Sequence, residues 1–239
     1  MVARAPAQLT YIANAIRFRV PSLRRATFRT PRSVRLGSRS VPLVYPDEGG
    51  VGNDFVTCFM VDDYGLGRVR GPVRTILDIG ANIGFFSLAA RAHFPGAAID
   101  AYEPNPRVLP YLRRNASVCA VRVCAEAVAD RAGTVSIIES GDSNQARTQE
   151  GGEVPLIALS TAVERLGGVV DLAKIDCEGA EWDMFRDERG WRGIRQLRME
   201  YHLWGRHAYR EVSDRVAALG FYITHHRPSG QWGTLWAER

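Results

Sequence analysis

Residues 75–106 read TILDIGANIGFFSLAARAHFPGAAIDAYEPNP, and no other stretch restricts the fold as much. An apolar run ends in Asp78 and turns through Gly80, Ala81, Asn82, Ile83 and Gly84. A helical pattern follows, and a second apolar run leads to Glu103. Strand, glycine-rich turn, helix, strand and acid, in that order, form the nucleotide-binding half of a Rossmann-like sheet. Glycine lets the turn's backbone approach a ligand, and the helix behind it offers free N–H groups and a positive dipole end. Glu103 is expected beside the first strand, where a carboxylate can accept hydrogen bonds from both hydroxyls of a ribose.

The turn also discriminates between nucleoside cofactors. A dinucleotide site uses G-x-G-x-x-G so that the second glycine admits a pyrophosphate. Here that position is Asn82, and Asp78 stands two residues before the first glycine. A carboxylate there repels a pyrophosphate and suits a cofactor that carries a ribose, an ammonium and a sulfonium. S-adenosylmethionine is therefore expected, and an NAD-dependent dehydrogenase is disfavoured.

The chain has 239 residues, enough to bury one large core. Its four cysteines, Cys58, Cys119, Cys124 and Cys177, form no C-x-x-C and have no histidine at metal-ligand spacing. They read as free thiols in a reducing cytoplasm. No apolar run approaches the ~20 residues of a membrane span, and the N-terminus lacks the apolar core of a signal peptide.

The net charge is +5, but residues 1–40 hold nine arginines and no acid, which leaves −4 for the remainder. We read 1–40 as a basic, partly helical arm and 41–239 as one catalytic domain. Within the arm, Leu9, Ile12, Ile16 and Val20 fall on one helical face. Three readings stay open, one of them that the segment touches an anionic substrate. In the other two, the face lies on an anionic membrane surface, which would put the chain at the inner face of the membrane, or the helix packs on the domain and exposes its arginines. The chain has thirty arginines and one lysine, Lys174, so that lysine marks a position where a guanidinium does not fit.

Strands are predicted at 41–45, 75–79, 99–102, 121–125, 134–139, 173–176, 196–201, 221–225 and 234–237. Helices are predicted at 85–93, 106–116, 161–166, 181–187 and 209–219. The polar segment 141–152, GDSNQARTQEGG, reads as a mobile loop. The alternation predicts an α/β fold with a mostly parallel sheet, helices on both faces and an antiparallel C-terminal hairpin. Ligands of such sheets bind at the carboxyl ends of the strands. The third strand leads to Glu126 and Ala127, the fourth to Asp176, Cys177 and Glu178, and the fifth to Glu200, Tyr201 and His202. Helix capping by Asp176 or Glu178, and a Glu200–Lys174 pair, are the structural alternatives.

LDIGANIGFFSL, YEPNP, AVADRAGTVSI, KIDCEGAEWDMF and MEYH, in that order, resemble the FkbM-type family of S-adenosylmethionine-dependent class I methyltransferases. The similarity runs from about residue 51 to the C-terminus, and KIDCEGAE is its most specific part. The resemblance implies O-methylation of a sugar, glycolipid or polyketide-type natural product. It implies that Asp78, Gly80, Asn82, Gly84, Glu103 and the adjoining Pro104 take the cofactor, with Glu126 and Ala127 beside the adenine. Such an enzyme aligns acceptor oxygen, methyl carbon and sulfur and needs a base for the hydroxyl proton. His202 is the candidate by its ordinary pKa. Asp176 and Glu178 would orient it, act as the base themselves, or hold a divalent cation such as Mg²⁺. Trp182, Tyr201 and Trp204 are candidates for stacking on a sugar. The absence of an Asn/Asp-Pro-Pro-aromatic segment argues against nucleic acid as acceptor. A non-catalytic cofactor-binding module would be expected to lose the polar residues at the fourth and fifth strands, and this chain keeps them.

Overall fold

In the computed structural model the described residues are 7–20, 28–205 and 207–239. The central sheet has seven strands. From one edge they are β12 (Tyr222–Ser229), β13 (Trp232–Glu238), β11 (Gln196–His202), β10 (Leu172–Ile175), β3 (Thr75–Ile79), β4 (Ala98–Tyr102) and β5 (Arg122–Cys124). β11, β10, β3, β4 and β5 run parallel, and β13 is antiparallel to both β11 and β12. The strand order reverses at β3, which places a ligand crevice at the carboxyl ends of β3 and β10.

Alternation along the strands sends residues to two cores. Ile76 and Leu172 join a core with Phe85, Phe86 and Leu88 of α3 (Phe85–His93). Leu77, Ile79, Ala173 and Ile175 join another, with Leu159 and Val163 of α5 (Leu159–Arg165) and Val212 and Val216 of α8 (Tyr209–Ala218). The sheet is thus covered on both faces. No helix among the described residues is long and apolar enough to cross a membrane.

Three expectations are corrected. Segment 141–152 contributes β8 (Arg147–Glu150), which pairs with β7 (Gly133–Ile138) in a second sheet of order β6-β9-β7-β8, with β6 at Ala127–Ala129 and β9 at Val154–Ala158. β8 is a polar edge strand with no buried side chain, so no apolar alternation marks it. The strand expected at 41–45 is β2 (Arg39–Pro42), paired with β1 (Ser33–Leu36); β2 spans the 40/41 boundary drawn from charge. The helix expected at 181–187 is two short ones, α6 (Glu181–Met184) and α7 (Glu188–Arg192), broken at Asp187, whose carboxylate accepts the Gly190 N–H.

The N-terminal helix, α1 (Ala7–Phe18), packs on the domain, but not by the expected face. Tyr11, Ala15 and Phe18 are buried in the core shared with α3, and Asn14 donates to the Met60 carbonyl at 3.1 Å. Leu9, Ile12 and Ile16 stay exposed. Val20 is buried just beyond the helix.

Candidate active site

The turn after β3 is held by backbone. Gly80 and Ala81 both donate to the Tyr102 carbonyl at 3.0 Å. Gly80 has φ +72°, and a Cβ there would run into the Asp176 carbonyl, so the turn admits no side chain. Asn82 holds the left-handed region at φ 46°, a conformation that costs a non-glycine residue energy and is concentrated at ligand sites. Its N–H donates to Glu103 Oε2 at 2.8 Å, and Asn105 N–H donates to Oε1 at 2.9 Å. Glu103 is thereby fixed with one lone pair of each oxygen still free. Burial, against those two N–H bonds, lifts its carboxyl to about 7.

A cavity of about 1480 Å³ opens in front of this turn. Gly80, Asn82, Glu103, Pro104, Glu126 and Ala127 line it on one side, and Asp176, Glu178, Glu200, His202 and Trp204 on the other. Asp78 and Gly84 stand behind the wall. Asp78 is fully buried, accepts from Ser87 Oγ at 2.6 Å and lies 3.5 Å from Lys174 Nζ. Gly84, at φ +87°, leaves room for Leu112 beneath the start of α3. Glu126 borders the cavity while paired to Arg165.

Lys174 explains its own retention. Its ammonium lies 3.5 Å from Asp78 and Asp176, 3.3 Å from the Ile79 carbonyl and within bonding distance of the Gly80 carbonyl. A compact three-donor cation fits that point, and a planar guanidinium does not. Burial opposes its charge, but the carboxylates outweigh burial and raise its pKa. The alternative Glu200–Lys174 pair does not form: Glu200 turns to His202, with 3.7 Å between Oε1 and Nε2.

At the other side of the cavity, His202 Nδ1 lies 2.9 Å from Glu181 Oε1, and the His202 N–H donates to the same oxygen at 2.7 Å. Glu181 is fully buried, and its Oε2 accepts the Gly179 N–H at 2.9 Å. With Nδ1–H directed at Glu181, Nε2 is left facing Glu178 at 3.5 Å and Glu200. Tyr64 OH donates to Asp176 Oδ2 at 2.9 Å. Burial opposes a charge on His202, yet the bond to Glu181 and the carboxylates of Glu181, Glu178 and Asp176 raise it to about 9. Burial lifts Glu178 to about 7 and, with Asp176 adding repulsion, Glu200 to about 9. The donor atoms of Asp176, Glu178 and His202 all lie within 4.8 Å of one another. Neither Asp176 nor Glu178 caps α6; Glu178 sits at φ 53° on the turn before it.

Of the three aromatic candidates only Trp204 lines the cavity. Tyr201 is buried with its hydroxyl 2.6 Å from His226 Nε2. Trp182 stacks on His207 and donates Nε1–H to the His202 carbonyl at 2.7 Å. The sequence reading missed Glu181, Asn105, Tyr64 and Arg147. Arg147 lies on β8, its guanidinium 3.3 Å from the centre of the Trp204 ring. Glu181, three residues after Glu178 at the start of a helical pattern, reads as an ordinary first-turn acid. Only its burial marks it.

The donor set fits a ribosyl cofactor. Glu103 keeps acceptor capacity toward the cavity, and Asn82 Oδ1 is buried without a partner. The model of the methyltransferase FkbM domain matches residues 78–222, more than half of the chain. Over 201 residues the chain is 28% identical to methyltransferase sdnD of Sordaria araneosa, covering 66% of this chain and 76% of that one. It is 44% identical over 64 residues to the 31-O-demethyl-FK506 methyltransferase FkbM of Streptomyces tacrolimicus, 26% of this chain and 25% of that one. The solved methyltransferase FkbM of Methylobacillus flagellatus superposes with a TM-score of 0.50 at 14% identity, over 77% of this chain and 48% of that one. This chain belongs to the FkbM-type methyltransferase family and is an S-adenosylmethionine-dependent methyltransferase.

Proposed function

We infer that the chain methylates a hydroxyl oxygen of a small molecule of the sugar, glycolipid or polyketide class, with His202 as the base. The observation that carries this is the held imidazole: Nδ1 is committed to buried Glu181 and Nε2 faces the cavity among carboxyl groups. That arrangement fixes the tautomer and raises the basicity of the free nitrogen. The name of one relative, a 31-O-demethyl-FK506 methyltransferase, points to an oxygen acceptor as well.

When bound, S-adenosylmethionine supplies a methyl group on a cationic sulfur, already a strong electrophile. The chain's own work is then positioning and proton removal. Glu103 accepts from the ribose hydroxyls. Asn82 Oδ1 accepts from a donor on the same ligand. Pro104, Glu126 and Ala127 border the rest of the nucleoside. Gly80 and Lys174 line the cavity at the turn, and Gly84 and Asp78 shape it from behind. Across the cavity His202 Nε2 takes the hydroxyl proton as the oxygen is methylated, and Glu181 stabilises the imidazolium that results. Trp204 with Arg147 offers a flat wall for the acceptor.

A second reading is favoured by the spacing of Asp176, Glu178 and His202: two carboxylates and one imidazole can hold a divalent cation against a sugar diol. Methyl-transfer assays across sugars, glycolipids and polyketides, with mass spectrometry of the products, test the first reading. An O-methyl product is expected, and transfer to nitrogen or carbon alone contradicts it. Loss of turnover in EDTA, restored by Mg²⁺, would favour the second.

A further inference from the structure

The first helix has two opposite faces, and both are apolar. Tyr11, Ala15 and Phe18 are buried against the domain, and Phe18 meets Phe59 edge to face with 5.0 Å between ring centres. Leu9, Ile12 and Ile16, at spacing i, i+3, i+7, form one row on the other side. They are 56%, 45% and 71% exposed, and three of the seven large hydrophobic side chains exposed among the described residues lie in this one row. A helix that only capped the core would place polar residues there.

The charge around the row is one-sided. Residues 1–40 hold nine arginines and no acid, against a net −4 for the remainder. Arg17, Arg19, Arg29, Arg32 and Arg39 are exposed. Arg17 donates to the Ala92 carbonyl and approaches His93, so it ties the helix to the domain while keeping its charge at the surface.

We propose that the outward face of α1 docks on an anionic lipid surface, with Leu9, Ile12 and Ile16 entering the interface and the exposed Arg17, Arg19, Arg29, Arg32 and Arg39 meeting the headgroups. An exposed aliphatic row in a segment rich in arginine and free of acids has the chemistry of an interfacial helix, and arginines near such a surface strengthen its attraction to anionic lipid. Thr10, on the flank of the same helix, lines the catalytic cavity, so the docking helix borders that cavity.

Co-sedimentation of the full chain with phosphatidylglycerol vesicles at low salt tests this, with phosphatidylcholine vesicles as the neutral arm. Binding to the anionic vesicles alone is expected. The Leu9→Ser, Ile12→Ser, Ile16→Ser triple variant should bind at least tenfold more weakly while its S-adenosylmethionine affinity stays unchanged. Ile16→Trp, which enlarges the same face, should strengthen binding severalfold. Indifference of the wild-type chain to anionic vesicles at low salt overturns the proposal, and so does a triple variant that binds as well as wild type. A wild-type dimer without lipid that the triple variant reduces to a monomer also overturns it, because the face then belongs to a second copy.

Discussion

Glu103 and His202 stand at the ends of strands on opposite sides of β3, yet they are held by different means. Glu103 is fixed by two backbone N–H groups from the turns that flank it. His202 is fixed by another side chain, Glu181, and faces two more carboxyl groups. A backbone-held carboxylate keeps its place whatever the neighbouring side chains are, which suits the recognition of an invariant cofactor. A side-chain network can set a proton affinity, which suits chemistry. The contrast predicts that the two sides fail separately.

The largest effect is expected on the His202 side. His202→Ala should lower kcat by about 10²–10⁴-fold, the range for a lost general base, with S-adenosylmethionine affinity by calorimetry nearly unchanged. Equal loss of cofactor affinity would break the separation.

On the other side, if Glu103 holds the ribose as proposed, Glu103→Ala removes two hydrogen bonds to a charged acceptor, each worth roughly 1.5–3 kcal/mol. Cofactor affinity should fall by about a hundredfold or more in a protein that still folds. A folded variant with wild-type affinity would refute the ribose assignment.

A pH dependence sharpens the same point. Glu103 titrates at about 7 because burial disfavours its charge. Its native pKa is raised, so this group favours the folded state at acid pH, and that contribution is lost as pH rises through about 7. Cofactor binding is expected to run the other way, since on the proposed ribose assignment it is the ionised form that accepts both hydroxyl bonds. Affinity should be about tenfold weaker at pH 6 than at pH 8, and the dependence should vanish in Glu103→Ala.

The smallest effect belongs to the acceptor wall. Arg147→Ala removes a cation–π contact of the ~0.5–2 kcal/mol kind. A rise of a few-fold to about tenfold in acceptor KM, with kcat little changed, is expected. A large fall in kcat would move Arg147 into the proton-handling group.

The same contrast decides what could be read from the chain. The cofactor side is local: Asp78 to Glu103 is one strand, one turn, one helix and one strand, and β3 and α3 fall on their predicted residues because the glycine turn and the apolar periodicity act within a few positions. The seven-stranded sheet was equally legible from alternating apolar runs. The His202 side was half legible. His202, Asp176 and Glu178 sit at strand ends and could be named, but Glu181 is an acid in a helix's first turn, where acids are common. Only tertiary burial separates it from a solvated neighbour. Arg147 was hidden for another reason, since its strand is a polar edge held by backbone pairing to β7. In α1 the pattern was visible but its direction was not: Leu9, Ile12 and Ile16 were readable as one face, and nothing local says that Tyr11, Ala15 and Phe18 turn inward instead.

The central claim is that His202, poised by Glu181, is the base. The pH dependence of kcat/KM between 5 and 10, in wild type and Glu181→Gln, tests it most directly. With His202 raised to about 9, the wild-type value should climb through neutral pH and level near 9. Glu181→Gln should move that inflection to lower pH, because it removes the carboxylate that stabilises the imidazolium. At saturating S-adenosylmethionine, a profile that already levels near 7, where Glu178 titrates, with no inflection near 9 for Glu181→Gln to move, would contradict the account.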